Sequence, residues 1–252
     1  IDKLENTSRY RLLMAKAFII HNKAPYIRSQ EELDQFNTII SDPYMDINKA
    51  KTLYSKYAYH SIMGGFFHNT MDHENLYIHS NKMIELCLSS DAIMNIRHEM
   101  VVLAFANLVN SCILSRKQFE ALKYLKELNL YLEKPYIKND THIYTVYKQN
   151  SIFIELMLYV HFSDVPNGIS LIKNRFKEVY SEDGPPFMKE NEFLLYCIRA
   201  YMLSEDYKGA EDILILLLNR QYSKGYSYFN SVSRFINLIV HFELKHFNLL
   251  EH

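Results

Sequence analysis

Apolar residues recur at intervals of three and four along most of the chain. Between Ala92 and Leu114 they fall at Ile93, Ile96, Met100, Leu103 and Leu108, the spacing that puts side chains on one face of an α-helix. No stretch of about four to eight residues alternates strictly between apolar and polar positions, as a half-buried strand would. The pattern therefore predicts an all-α protein of about eleven helices with almost no β-structure.

Polar residues mark where several of these helices begin. Ser115 and Gln118 form a capping-box pattern, and Ser29 with Glu32 forms another, in which the first side chain accepts a hydrogen bond from a free helix N–H. The predicted helices are Arg9–Asn22 and Gln30–Ile40, then the pairs Asn48–Asn69 with Asp72–Ser89, Ala92–Leu114 with Phe119–Leu132, Thr141–Phe162 with Val165–Tyr180 and Pro186–Leu203 with Asp206–Arg220, and last Tyr226–Leu244.

A small residue recurs in the second helices of three pairs. Ala121, Gly168 and Ala210 follow one another at intervals of 47 and 42 residues, which is the length of a helical hairpin with its turns. Hairpins of this kind leave an apolar face that they bury only by stacking on a neighbour. The interval therefore predicts a helical-repeat array.

Two segments resemble the tetratricopeptide repeat. LLYCIRAYMLSEDYKGAEDILILLL has Tyr201 in its first helix, Tyr207 before the second and the small packing residue Ala210. FANLVNSCILSRKQFEALKYLKEL is similar, with Leu108 and Ala121 separated as in the family. In the general character of its sequence, and not in any single motif, the chain also resembles uncharacterised helical-repeat proteins of Bacteroidetes-type bacteria. The resemblance implies an α-α superhelix, a tetratricopeptide-like solenoid of about five antiparallel helix pairs.

The 252 residues are expected to form a single helical-repeat domain. Short helices occupy residues 1–44, and the hairpin repeats occupy 45–250. The chain begins at Ile1 instead of a methionine, and residues 250–252 read Leu-Glu-His, which is typical of the start of a vector-derived histidine tag. We therefore expect a fragment of a longer protein, whose lone last helix exposes an apolar face and favours a homodimer.

Composition and charge exclude several classes of protein. Hydrophobic residues make up 48% of the chain, and only 6 Gly and 6 Pro are present, too few for the turns of a β-sandwich or barrel. The 28 Lys and Arg are interspersed with 29 Asp and Glu, which disfavours nucleic-acid binding. The longest apolar runs are too short for a membrane span and no signal peptide opens the chain, so a cytoplasmic protein is expected.

Cysteines and histidines are the first candidates for chemistry. Cys87, Cys112 and Cys197 fall in apolar helical patterns and are predicted to be small core residues. The histidines of the first long hairpin are His60, His68, His73 and His79. His73 and His79 are six residues apart, about 240° around a continuous helix, so we expect ordinary histidines and no metal site there. His241 and His246, five residues apart, are interpreted in the same way.

No other motif predicts catalysis or a cofactor. Gly64-Gly65 lies between apolar residues of a predicted helix and indicates a close helix crossing or a kink, since a phosphate loop needs more glycine and a following lysine. Neither a nucleophile motif such as Gly-x-Ser-x-Gly nor a paired-carboxylate arrangement typical of acid–base catalysis is present. We therefore expect a protein that is not an enzyme and has no cofactor.

The family resemblance implies that first helices of the pairs line the concave face. It places Asn107, Asn110 and Arg199 there, where they would hydrogen-bond a bound peptide. The predicted apolar neighbours are Ala106, Leu195, Met202, Phe235 and Phe242. Two alternatives remain open: the polar residues bond neighbouring helices, or another part of a longer chain fills the groove.

These observations favour a non-enzymatic scaffold that binds a protein or peptide. The alternative is the peptide-sensing domain of a bacterial transcriptional or signalling regulator, whose output domain lies outside this chain. A flanking DNA-binding or kinase segment in the full-length protein would discriminate between the two.

Overall fold

Helices make up most of the described part of the chain. A computed structural model describes residues 2–23, 27, 29–180, 189–219 and 227–246. These ranges contain thirteen α-helices, one 3₁₀ helix at Ile47–Lys49 and no strand. The predicted all-α fold is confirmed. None of the described helices is both long enough and apolar enough to span a membrane.

The helices fall into two units, Ile1–Tyr131 and Leu132–His252. The first unit holds α1 (Lys3–Lys23), α2 (Gln30–Ile40), α3 (Leu53–Asn69), α4 (His73–Leu88), α5 (Asp91–Ile96) and α6 (His98–Leu114), and α7 (Gln118–Leu132) ends at the boundary. The second holds α8 (Pro135–Lys138), α9 (Thr141–His161), α10 (Val165–Val179), α11 (Glu190–Leu203), α12 (Tyr207–Asn219) and α13 (Ser227–Glu243).

Helices within each unit pack mainly on their neighbours along the chain. In the first unit α3 packs on α1 and α4, and α4 packs on α6. Tyr131, at the end of α7, donates a 2.9 Å hydrogen bond to the Met94 carbonyl and lies 3.0 Å from Nδ1 of His98. The end of α7 therefore lies beside the start of α6, as an antiparallel pair requires. In the second unit α9 packs on α8, α10 and α11, α10 packs on α11, and α12 packs on α11 and α13.

One backbone turn recurs five times. Its central residue has a left-handed φ of 57° to 60° and is Met71, Arg116, Ser163, Glu205 or Lys245. At the first turn the Met71 N–H donates to the His68 carbonyl and the Asp72 N–H donates to the Phe67 carbonyl. The same pair of bonds closes the other four turns. This is the Schellman ending, which satisfies the last carbonyls of a helix and reverses the chain.

The left-handed turns mark the repeat at five places, whereas the recurring small residue marks it at three. The interval is 45 residues from Met71 to Arg116, 47 to Ser163, 42 to Glu205 and 40 to Lys245. The turns join α3 to α4, α6 to α7, α9 to α10 and α11 to α12, and the fifth follows α13. The small residues Ala121, Gly168 and Ala210 each lie five positions after a turn centre, so the predicted intervals of 47 and 42 reflect this backbone feature.

Several predicted helix boundaries are wrong. Helix α1 begins at Lys3 instead of Arg9, and α3 begins at Leu53 instead of Asn48, after the separate 3₁₀ helix. The helix expected over Ala92–Leu114 is divided at Arg97, whose φ of −113° and ψ of 56° leave the helical region. Ser115 is not the N-cap of α7, because it is the C-cap residue of α6 and α7 begins only at Gln118. The Ser115 hydroxyl donates to the His73 carbonyl at 3.0 Å. Ser29 does cap α2 as predicted, since its Oγ accepts from the Glu32 N–H at 3.2 Å. Pro186, Arg220 and Tyr226, at the ends of predicted helices, and residues 250–252 lie outside the described residues.

The interior is apolar and includes all three cysteines. Cys87, Cys112 and Cys197 are buried and form no disulfide, as predicted for core residues. Burial raises the pKa of both the Cys87 and the Cys112 thiol to about 12 and raises that of Cys197. These thiols are therefore protonated and poor nucleophiles at neutral pH.

The paired glycines of α3 do not interrupt the helix. Gly64 faces α4, where an added Cβ would lie 3.8 Å from Leu76 Cδ1, and a Cβ on Gly65 would lie 3.8 Å from the Phe36 ring. Both are ordinary van der Waals distances. The predicted crossing therefore leaves room for a methyl group at either position.

Candidate functional site

The predicted partner-binding residues are distributed over both units. Asn107 is exposed and Asn110 half-buried on α6, in the first unit, and Arg199 is exposed on α11, in the second. All three lie on the first helix of a hairpin, as the family resemblance implies. Their role in binding a partner stays a prediction.

Of their five predicted apolar neighbours, Ala106 is half-buried on α6 and the other four divide into two groups. Leu195 and Met202 pack against the core of the second unit. Phe235 and Phe242, on α13, are 65% and 59% exposed. The second pair therefore presents apolar surface to solvent, whereas the first pair serves mainly to hold the unit together.

Helix α13 is apolar on two opposite sides. On one side Val240 is fully buried, and Ile236 and Leu244 pack against the same core. On the other side lie Phe235, Leu238 and Phe242, which are 65%, 51% and 59% exposed. With about 100° of rotation per residue, the exposed three fall within an arc of about 60°. We call them the outer stripe.

Charged residues border the outer stripe. Arg234 is exposed along one edge and Glu243 along the other. Glu243 also lines an open groove with Leu238, Ile239 and Phe242. The outer stripe thus has an apolar centre with a cationic and an anionic margin.

The histidines of the first hairpin form a half-buried aromatic cluster. Nδ1 of His60 lies 3.1 Å from Nδ1 of His79. The rings of Tyr59 and Phe67 lie 6.0 Å and 5.4 Å from the His79 ring. Burial, with a smaller effect of His79, lowers the pKa of His60 to about 4, and burial also lowers the pKa of His79. Both imidazoles are therefore neutral at pH 7.

Further along α3 and α4, the other two histidines have separate surroundings. The His68 ring packs edge-on against His21, with ring centres 5.1 Å apart. His73 lies half-buried in the first turn of α4. The four histidines therefore do not converge on one point.

A different set of side chains meets in the second unit. Nδ1 of His241 and Nδ1 of His246 are 3.3 Å apart, and each lies 3.6 Å from Oε1 of Glu211. Of the described residues, only these three bring histidine, cysteine or carboxylate ligand atoms within 4.8 Å of one another as a set of three. Glu211 and His241 are half-buried and His246 is exposed.

The recurring turn explains why residues five apart come together here. The angular argument applied to His241 and His246 does not hold, because it assumes that α13 continues through both residues. Helix α13 ends at Glu243. The left-handed Lys245 then turns the chain so that the His246 N–H donates to the His241 carbonyl at 2.9 Å. The His246 side chain therefore returns to the level of His241.

Glu211 is held in place from its other side. Its Oε2 accepts a 2.6 Å hydrogen bond from Nζ of Lys208, one turn earlier on α12. This hydrogen bond, helped by the charges of Lys208 and the two histidines, lowers the pKa of Glu211. The carboxylate is therefore ionised at neutral pH and directs Oε1 toward the histidines. Sequence reasoning missed Glu211 because only the packing of α12 on α13 places it near residues thirty positions away.

Comparison of the chain with protein-family models, with curated proteins and with solved structures finds no match.

Proposed function

We propose that the chain is a non-enzymatic helical-repeat scaffold, tetratricopeptide-like in its hairpins, that binds an amphipathic helix of a partner protein. The observation that carries this proposal is the outer stripe of α13. Three large apolar side chains, each more than half exposed, lie along one line of a helix whose opposite side is already packed. Exposed apolar patches of this kind are typical of interaction sites.

The spacing of the outer stripe favours a helical partner. Phe235, Leu238 and Phe242 have the i, i+3, i+7 arrangement with which one helix packs against another. Full burial of one such side chain is worth roughly 1.5–3 kcal/mol, part of which is offset by the cost of association. Three such anchors would contribute roughly 4.5–9 kcal/mol before that cost, so we expect the complex to be reversible.

The margins of the outer stripe specify the charges of the partner helix. Arg234 on one edge favours acidic residues opposite it, and Glu243 on the other edge favours basic ones. Charges at the rim of an interface contribute more to orientation and association rate than to affinity. The proposed partner is thus a helix with an apolar face, an acidic margin and a basic margin.

The polar positions identified from the sequence have a secondary role in this proposal. Asn107, Asn110 and Arg199 are proposed to hydrogen-bond partner backbone or carboxylate groups on their own units. Arg199 is the strongest of the three because a guanidinium binds a carboxylate in two parallel hydrogen bonds.

The test is a selection from a displayed library of amphipathic helical peptides with apolar residues fixed at i, i+3 and i+7. Affinities of selected peptides are then measured by fluorescence anisotropy. We expect Leu238→Asp and Phe242→Asp each to weaken binding at least about tenfold, since a buried carboxylate replaces an apolar anchor. The matched control is Phe119→Asp, which changes an 85% exposed phenylalanine of the first unit and should leave binding unchanged.

Two results would overturn the helix partner. One is a failure to select any peptide, or equal binding by wild type and both α13 variants, whose fold is checked by circular dichroism. The other is a dimer in light scattering that dissociates on Leu238→Asp, because a second copy of the chain would then occupy the outer stripe.

A further inference from the structure

We propose that Glu211, His241 and His246 bind one Zn²⁺ ion. This inference concerns α12 and the end of α13 and is independent of the proposed scaffold function. It rests on the distances among three ligand atoms, on their chemical type and on the contacts that hold them.

The three distances fit a tetrahedral ion. Ligand atoms about 2.0–2.1 Å from a tetrahedral Zn²⁺ lie about 3.4 Å from one another, whereas in an octahedral site with the same bond lengths they lie about 2.9 Å apart. The measured separations are 3.3 Å between the histidine nitrogens and 3.6 Å from each nitrogen to the glutamate oxygen. Shifts of a few tenths of an ångström would bring all three atoms to bonding distance.

The ligand set selects the kind of ion. Two imidazoles and one carboxylate are a combination that proteins use for Zn²⁺, with a fourth position left for water or another ligand. Ca²⁺ and Mg²⁺ prefer oxygen ligands throughout, so two nitrogen ligands disfavour them. Cu²⁺ binds nitrogen strongly but favours a tetragonal arrangement, which the three-atom triangle does not offer.

The surroundings hold the ligands before an ion arrives. Lys208 fixes one carboxylate oxygen of Glu211 and leaves the other facing the histidines. His241 is fixed by α13, and His246 by the backbone hydrogen bond that closes the Lys245 turn. A site of this kind loses little conformational entropy when it binds a metal.

Binding at this site would connect α12 to the end of α13. An ion that binds the folded chain and not the unfolded one stabilises the fold by an amount that grows with its concentration. A fourth ligand of a tetrahedral Zn²⁺ would be a water molecule or another side chain. The zinc ion would thus stabilise the last described turn of the repeat.

The experiment is a competition titration of tag-free protein with Zn²⁺ and a chromogenic zinc chelator. We expect one ion per chain and at least a tenfold weaker affinity in each of Glu211→Gln, His241→Ala and His246→Ala. His246→Ala is the decisive variant because the residue is exposed and its loss should leave the fold intact. The controls are His142→Ala and Glu243→Gln, exposed residues of the same unit that should bind Zn²⁺ like wild type.

The proposal is overturned if the chain binds no stoichiometric Zn²⁺, or if His246→Ala binds it as tightly as wild type. In the first case the three side chains only contact one another, with Glu211 also bonded to Lys208. In the second the ion is held elsewhere, and the unchanged affinity of the variant would show that directly.

Discussion

Two histidine pairs in this chain have almost the same spacing and different surroundings. In the first unit the Nδ1 atoms of His60 and His79 are 3.1 Å apart, among aromatic rings and with no third ligand atom of a described residue in reach. In the second unit the Nδ1 atoms of His241 and His246 are 3.3 Å apart, with an ionised carboxylate beside both.

The difference shows that closeness of two histidines does not define a metal site. Burial at the first pair disfavours any charge, and it lowers the pKa of both imidazoles. The second pair combines a negative ligand with an exposed approach, which compensates the charge of a cation and lets it enter. The first pair is therefore a packing feature, and the second a candidate binding site.

The largest expected effect is a rise in the free energy of unfolding when Zn²⁺ binds, which should depend on the His241–His246 pair and not on the His60–His79 pair. At about a hundredfold excess of free Zn²⁺ over its dissociation constant, the free energy of unfolding should rise by about 2.7 kcal/mol. At the same Zn²⁺ concentration an affinity at least tenfold weaker in His246→Ala should reduce this increase to about 1.4 kcal/mol or less, whereas His79→Ala should retain it in full. Urea denaturation of each protein with and without Zn²⁺ measures the increment. Loss of the increment in His79→Ala would contradict the distinction between the two pairs.

The second effect is the pH dependence created by His60. Its pKa falls from an ordinary 6.5 to about 4 on folding, so the unfolded chain binds more protons as the pH falls. Stability is complete above pH 6.5 and declines as the pH falls toward 4, by about 1–2 kcal/mol once solvent screening at this half-buried site is allowed for.

The test of that pH dependence is denaturation of His60→Asn at several pH values. An asparagine side chain at this position cannot take up a proton, so the decline between pH 6.5 and pH 4 should be smaller than in wild type. His79, Lys82 and Glu85 surround the site and are unchanged in the variant. His142→Asn, at an exposed histidine, serves as the control. An identical decline in wild type and His60→Asn would show that His60 is not held neutral.

The sequence predicts the helices of both regions but not their connections. Gln30–Ile40 is predicted to the residue because Ser29 supplies a cap that depends only on local spacing. The left-handed turns carry no glycine at their centres, and Arg97 is not a helix-breaking residue type. Such features are imposed by packing and cannot be seen in local sequence.

The same limit applies to the candidate sites. The exposed side of α13 can be foreseen because Phe235 and Phe242 stand at helical spacing among other apolar residues. The metal candidate cannot, because it needs the turn at Lys245 and the packing of Glu211 against α13. Angular arguments about histidines hold only while a helix continues, which is true for His73 and His79 and not for His241 and His246.

A third prediction compares alanine substitutions at two glycines. Gly64 lies beside His79 in the first unit, and Gly209 is on the same helix as Glu211 in the second. A Cβ at Gly64 would lie 4.0 Å from the His79 Cβ, but a Cβ at Gly209 would lie 2.6 Å from the Tyr201 ring and 2.9 Å from Asp206 Oδ2. We expect Gly64→Ala to stabilise the fold by about 0.5–1 kcal/mol through helix propensity. Gly209→Ala gains the same helix propensity, but overpacking against Tyr201 should destabilise the fold by a net of about 0.5–2 kcal/mol.

Urea denaturation of the two alanine variants measures that contrast. Because both changes add one methyl group in a helix, each serves as the control for the other. Equal shifts of the same sign in both variants would contradict the packing described around Tyr201.

The smallest expected effect concerns the turn at Lys245, which brings His246 next to His241. Lys245 has a φ of 60°, a conformation that costs an L-residue about 1–2 kcal/mol and costs glycine nothing. Lys245→Gly should therefore stabilise the fold by a net of about 0.5–1 kcal/mol after the entropy of glycine in the unfolded chain is deducted. Zinc affinity should stay within about threefold of wild type. A destabilised variant in urea denaturation would mean that the turn is not left-handed.

The most direct test of the proposed zinc site is X-ray diffraction, at the zinc absorption edge, from crystals of tag-free, zinc-loaded protein. We expect one anomalous peak about 2.0–2.2 Å from Nδ1 of His241, Nδ1 of His246 and Oε1 of Glu211. No peak at that position, or a peak between His60 and His79 instead, would contradict it.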